Sequence, residues 1–131
     1  MKKFICFFLV TLVTMVSFSN KPNYVTINLN NGDKYEGFIT KGKFEGFGKY
    51  TYANGDIYVG DFKDGKQDGY GIAYFASTGN IYEGEFKNGK REGKGKFTYV
   101  NGDIYEGSFA NNTKIKGTLV KNNNQKYIAQ K

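Results

Sequence analysis

The chain has 131 residues, room for one domain, and carries 18 glycines, 11 tyrosines, 12 phenylalanines, no tryptophan, no histidine and a formal charge of +7. Each glycine costs about 1 kcal/mol in a helix interior, so this composition excludes a mainly helical fold. The lack of histidine removes the commonest general base, the Ser-His and Cys-His nucleophile pairs, and most zinc and copper sites.

Lys2 and Lys3 lead into an apolar run from Phe4 to Val16, followed by Ser17-Phe18-Ser19. A charged start, an apolar stretch and small residues at its end are the features of a secretory signal. The run is shorter than the ~18 residues that cross a bilayer, so residues 1–19 read as a cleaved signal peptide rather than an uncleaved anchor. Cleavage after Ser19 leaves Asn20–Lys131, 112 residues with 17 basic and 12 acidic side chains, a net +5. Cys6 leaves with the leader, so the exported chain has no cysteine for a disulfide or a thiolate metal site. Cys6 also stands too early for a lipoprotein-type attachment.

From Tyr35 on, the sequence repeats. Tyr-x-Gly recurs at Tyr35, Tyr58, Tyr82 and Tyr105, at spacings of 23, 24 and 23 residues. A fixed period of this size marks an array of one structural unit. With each Tyr as position 0, position 2 is Gly37, Gly60, Gly84 and Gly107, and position 4 is Ile39, Phe62, Phe86 and Phe109. Position 7 is Gly42, Gly65, Gly89 and Asn112, the residue types that tolerate a left-handed backbone. Positions 11 and 13 are Gly46 and Gly48, Gly69 and Gly71, Gly93 and Gly95. Positions 15 and 17 follow as Tyr50 and Tyr52, Ala73 and Phe75, Phe97 and Tyr99. Two short alternating runs separated by turn residues predict one β-hairpin per repeat.

The array spans 24–128: a half-repeat at 25–34, repeats at 35–57, 58–81 and 82–104, and a degenerate repeat at 105–128. In the last one, Gly117 and Leu119 fit only with one loop residue deleted, and Tyr127 opens a truncated unit. Strand alternation puts positions 0, 2 and 4 on one face together with 13, 15 and 17. Setting 4 opposite 13 places 2 opposite 15 and 0 opposite 17, so that the large residue at 4 meets a glycine and the glycine at 2 meets an aromatic on the facing strand. Between repeats, Ala53-Asn54-Gly55 and Val100-Asn101-Gly102 suit three-residue loops closed by a left-handed glycine. Such a loop pairs Tyr50 with Tyr58. The extra residue of the second repeat falls in Ala76–Gly79, and a four-residue loop there pairs Ala73 with Tyr82.

These residues resemble the MORN repeat (membrane occupation and recognition nexus), whose pattern is close to YxGxWxxGxxxGxGxxxxxxG. The match is fullest from Tyr82 to Gly95, and Phe or Ile stands where the family has tryptophan. The resemblance implies an all-β fold: stacked β-hairpins forming an elongated, twisted, single-layer antiparallel sheet with an aromatic groove. For function it implies scaffolding, dimerisation or attachment to acidic phospholipid, with no catalytic residues, cofactor or metal.

Two candidate surfaces follow. Tyr50, Tyr52, Phe75, Phe97 and Tyr99 lie on the aromatic face, where part of the ring surface stays open for a protein partner or a second copy. Lys63, Lys66, Lys87, Lys90, Arg91, Lys94 and Lys96 gather around the hairpin loops as a rim for anionic phospholipid or an acidic envelope polymer. Asp64, Asp68, Glu85 and Glu92 sit among them and dilute the field. Glu36, Glu83, Glu85 and Glu106 fall on the face opposite the rings with Lys49 and Lys96, which predicts cross-strand ion pairs rather than a carboxylate dyad. Asp33, Asp56 and Asp103 follow turn glycines and read as loop chemistry. A chain routed for export meets no nucleic acid, so none is expected as a partner. Asn111-Asn112-Thr113 is a glycosylation sequon in a eukaryotic host. The function expected is a non-catalytic exported interaction scaffold, secreted, periplasmic or bound to the cell envelope; the alternative is a peripheral binder of anionic surfaces.

Overall fold

The computed structural model describes residues 22–130; the expected leader lies outside the described residues. Ten strands run β1 Asn23–Asn28, β2 Lys34–Thr40, β3 Lys43–Thr51, β4 Ile57–Lys63, β5 Lys66–Phe75, β6 Asn80–Lys87, β7 Lys90–Thr98, β8 Ile104–Ala110, β9 Thr113–Val120 and β10 Lys126–Gln130. They form one open antiparallel sheet whose spatial order is the chain order. Each repeat is one hairpin, β2–β3 through β8–β9, with β1 and β10 as half-units at the two ends. The all-β single-layer expectation holds.

Two kinds of turn line the two long edges. Within each repeat, Lys41-Gly42, Asp64-Gly65, Asn88-Gly89 and Asn111-Asn112 all have positive φ at both residues. These are two-residue turns of the mirror-image type I′, whose twist matches that of the strands they join. Position 7 is left-handed as expected, and position 6 is left-handed as well. Between repeats, Tyr52 N–H donates to the Asp56 carbonyl at 2.9 Å and Tyr99 N–H to that of Asp103 at 2.9 Å. These closures make the three-residue loops expected, with Gly55 and Gly102 at φ +90° and +88°. Tyr50 pairs with Tyr58 and Ala73 with Tyr82, as the loop lengths require.

The register inside the hairpin differs from the expected one. Tyr58 faces Ala73, Gly60 faces Gly71, and Phe62 faces Gln67. In repeat positions, 0 faces 15, 2 faces 13 and 4 faces 9. The tight turn fixes 4 against 9, while the loop to the next repeat fixes 15 against the next Tyr. The mismatch is absorbed by a bulge over positions 10 to 12, where Gly46, Gly69 and Gly93 take φ of +74°, +115° and +78°. A bulge residue with positive φ calls for glycine. Position 4 does meet a glycine, but in the preceding repeat: Gly46 faces Phe62, Gly69 faces Phe86 and Gly93 faces Phe109. In the fourth repeat Phe109 faces Lys114 and Gly107 faces Gly117. The missing residue is thus taken from the bulge and not from the loop, and the position-11 glycine goes with it.

The glycine of Tyr-x-Gly and the second glycine of Gly-x-Gly have one physical cause. Each position-0 ring lies along its own strand over the paired glycines at 2 and 13. A Cβ on Gly37 would come within 2.5 Å of Tyr35 Oη and 2.6 Å of Gly48 Cα. The hydroxyl then reaches the carbonyl at position 3: Tyr35 to Phe38 at 2.7 Å, Tyr58 to Asp61 at 2.8 Å, Tyr82 to Glu85 at 2.9 Å and Tyr105 to Ser108 at 3.4 Å. The position-4 rings stand edge-on between successive tyrosines. Phe62 meets Tyr35 and Tyr58 at 5.3 and 5.2 Å, and Phe86 meets Tyr58 and Tyr82 at 4.9 and 5.1 Å. Phe109 meets Tyr82 and Tyr105 at 4.9 and 5.5 Å. Each such pair contributes about 1 kcal/mol beyond burial. Tyr35, Tyr58, Tyr82 and Tyr105 are at most 2% exposed. One layer of strands thereby builds a core from its own side chains.

Candidate interaction surface

The aromatic face is closed by position 9. Phe44 stacks on Tyr35 with centroids 3.7 Å apart, and Gln67 Nε2 donates to Tyr52 Oη at 2.8 Å. Arg91 lies 5.5 to 5.7 Å from the rings of Phe75, Tyr82, Phe97 and Phe109, and this burial lowers its pKa. Lys114 sits 4.5 Å from the Phe97 and Tyr99 rings and hydrogen-bonds Tyr99 Oη. Of the five candidate docking aromatics, Tyr50 and Phe97 are buried, while Tyr52, Phe75 and Tyr99 are half-covered. Tyr50 Oη donates to Asp33 Oδ2 at 2.6 Å. The groove expected on this face is filled by the chain itself. Position 9 varies from repeat to repeat, which is why the period gave no sign of its role.

The basic residues divide into two groups. Lys63 faces Lys66 and Lys87 faces Lys90 beside the tight turns, along one edge. Arg91 is turned onto the rings instead, and Lys94 and Lys96 stand mid-strand on the opposite face, so these three are not part of the rim. The nearby acids have a structural task. Glu45 accepts from Asp64 N–H at 3.0 Å, Asp68 from Asn88 N–H at 3.2 Å and Glu92 from Asn111 N–H at 2.9 Å. Each ties one turn to the next repeat's. On the other edge, Asp33 accepts from Ala53 N–H and Asp56 from Ala76 N–H, both at 2.8 Å. Asn80 accepts from Val100 N–H and Asp103 from Asn122 N–H, both at 3.0 Å. Lys121, 2.8 Å away, and the Asn122 N–H hold the Asp103 pKa below the usual carboxylate range.

The exposed apolar surface is on the opposite face. Phe47, Tyr70, Ile72, Tyr74 and Ile81 are 57, 53, 44, 40 and 40% exposed. Cross-strand pairing arranges them in rows. One row runs Thr51, Ile57, Tyr74, Ile81, Thr98, Ile104, Val120. The next runs Glu36, Lys49, Val59, Ile72, Glu83, Lys96, Glu106. The Glu-Lys pairing expected here is present: Lys96 Nζ lies 3.3 Å from Glu83, which also accepts from Tyr70 Oη at 2.8 Å. An open concavity of about 600 Å³ adjoins these rows, lined by Tyr70, Glu83, Lys94, Lys96, Glu106 and Lys116 among others. The sequence did carry a signal for this patch, since Ile57, Ile81 and Ile104 all precede a repeat tyrosine.

A family model described as MORN repeat matches residues 35–57, 58–79 and 82–104. No curated protein matches the chain. Among solved structures, the chain is similar to the TCP domain of SAS-4 (dCPAP) of Drosophila melanogaster, solved in complex with a proline-rich motif of Ana2 (dSTIL). That likeness has a TM-score of 0.38 and 14% identity, covering 86% of this chain and 96% of the other.

Proposed function

This chain belongs to the MORN-repeat family, and we propose that it is a non-catalytic, exported interaction scaffold that presents the face opposite its rings to a protein partner. The observation that carries this reading is the row of exposed Tyr74 and Ile81 beside Ile72, at the centre of a sheet whose aromatic face is filled from within. Contiguous exposed apolar surface of this kind marks an interaction site. Export rests on the leader at 1–19. A photo-reactive residue at position 74 is expected to crosslink to protein in the native extracellular or periplasmic fraction, and one at Asn122 is not. Equal labelling from both positions would overturn the choice of face. Terminal sequencing of the exported form is expected to begin at Asn20.

A second reading is favoured by the like-charged pair Lys63–Lys66, and by Lys87–Lys90, where Asp68 at 3.5 Å from Lys87 already offsets part of the charge; the members of each pair stand directly opposite one another on one edge. Opposed like charges are unfavourable within a hairpin, and an anionic surface relieves them. Binding of this kind to vesicles weakens steeply with salt, whereas apolar docking hardly changes. Co-sedimentation with anionic and neutral vesicles at low and high salt separates the two readings.

A further inference from the structure

We propose that the partner of this face is a second copy of the same chain, docked face to face about a two-fold axis parallel to the strands and lying between β4 and β5. The proposal rests on the reading of this face as the interaction surface and adds the identity of its occupant.

The charge order across the sheet carries it. From β2 to β7 one row reads Glu36, Lys49, Val59, Ile72, Glu83, Lys96. Read from the other end with the copies exchanged, acid meets base at every charged step. Val59 covers the partner copy's Ile72, Lys49 meets its Glu83, and Glu36 meets its Lys96. The neighbouring row obeys the same axis, with Ile57 over Tyr74 and Thr51 over Ile81. On the other side, across the bulges, Asp61 faces Tyr70 and Phe47 faces Glu85. No like charges are opposed in any of the three rows. An axis through β4 opposes Glu36 to Glu83, and one through β5 opposes Lys49 to Lys96. An axis running across the strands stacks each charge of the central row on its own copy. An axis between β5 and β6 opposes no like charges either, but it sets Ile72 against Glu83 and Val59 against Lys96. Charge and apolar matching together therefore favour the axis between β4 and β5, with layers about 10 Å apart as in aligned sheet packing.

Sedimentation velocity of the purified protein across concentration is expected to show a monomer–dimer equilibrium. Lys49→Glu or Glu83→Lys alone opposes like charges across the axis and is expected to weaken dimerisation about tenfold or more. In a mixed dimer of the two single variants, positions 49 and 83 again carry opposite charges at both contacts, with the signs exchanged at one of them. The mixture is therefore expected to dimerise more tightly than either variant alone. Ile72→Asp is expected to yield a folded monomer, as judged by circular dichroism. A wild-type monomer at every concentration, a dimer indifferent to these substitutions, or folded single variants that stay monomeric when mixed would each overturn the proposal. The crosslink from position 74 separates this failure from that of the broader reading: labelling of a different protein by a monomeric chain leaves the face and removes the second copy.

Discussion

At the scale of single residues, this protein depends on glycine as an absence of side chain. At Gly60 an added Cβ would lie 2.5 Å from both Gly71 Cα and the Tyr70 carbonyl oxygen, atoms of backbone that cannot rotate away. Gly60→Ala is expected to destabilise the fold by about 3 kcal/mol in urea unfolding. At Gly46 the added Cβ meets nothing within 4 Å, and only the positive φ opposes it. Gly46→Ala is therefore expected to cost only about 1 kcal/mol. The tyrosines give a pH signature. Burial pushes the Tyr82 hydroxyl up to about 12 and raises those of Tyr35, Tyr50 and Tyr58. In the unfolded chain these groups titrate near 10.0. The unfolded state thus releases its protons first, so stability is full below about pH 10 and falls through about pH 12. Unfolding by circular dichroism should coincide with the rise of tyrosinate absorbance.

At the scale of the element, the hairpin is held at both ends and irregular in the middle. The type I′ turns require two left-handed residues, supplied as Lys-Gly, Asp-Gly, Asn-Gly and Asn-Asn. Gly89→Ala is expected to lose about 1 to 2 kcal/mol, and Asn112→Gly about 1 kcal/mol, because Asn112 Oδ1 accepts from the Arg91 N–H at 2.9 Å and the variant leaves that donor unpaired. Thermal melts of the two variants test this directly. Turn and loop residues were legible from the sequence, because their backbone geometry dictates their type. The register between them was not. Two tight connections of fixed geometry leave residues over, and a bulge that absorbs them has no hydrophobic period of its own. The fourth repeat shows the same economy, since the shorter bulge at 115–116 dispenses with the glycine.

At the scale of the whole molecule, each hairpin touches only its neighbours, through edge-on rings on one face and side-chain-to-backbone ties along both edges. Such arrays lose structure from their ends. Tyr127 and Ile128, in the edge strand β10, are 50 and 79% exposed. Native-state hydrogen exchange is expected to be fastest in β10 and β1 and slowest in β4 to β7; uniform protection across the ten strands would contradict a nearest-neighbour array. Asp103 accepts the Asn122 N–H and pairs with Lys121, so Asp103→Ala is expected to speed exchange in β9 and β10 while leaving β4 unchanged.

The sequence by itself determined the unit, its period and the strand order, because turn glycines and ring spacing constrain the backbone locally. It also placed the tyrosines and their glycines on one face. Only the tertiary structure decided which face is free. The position-9 residues come from a bulged segment, and whether Phe44, Gln67, Arg91 and Lys114 point to solvent or onto the rings depends on how far that bulge rotates the strand. Since they cover the rings, the aromatic face is spent on holding the sheet together. The opposite face, with its alternating charges around Val59 and Ile72, is left exposed.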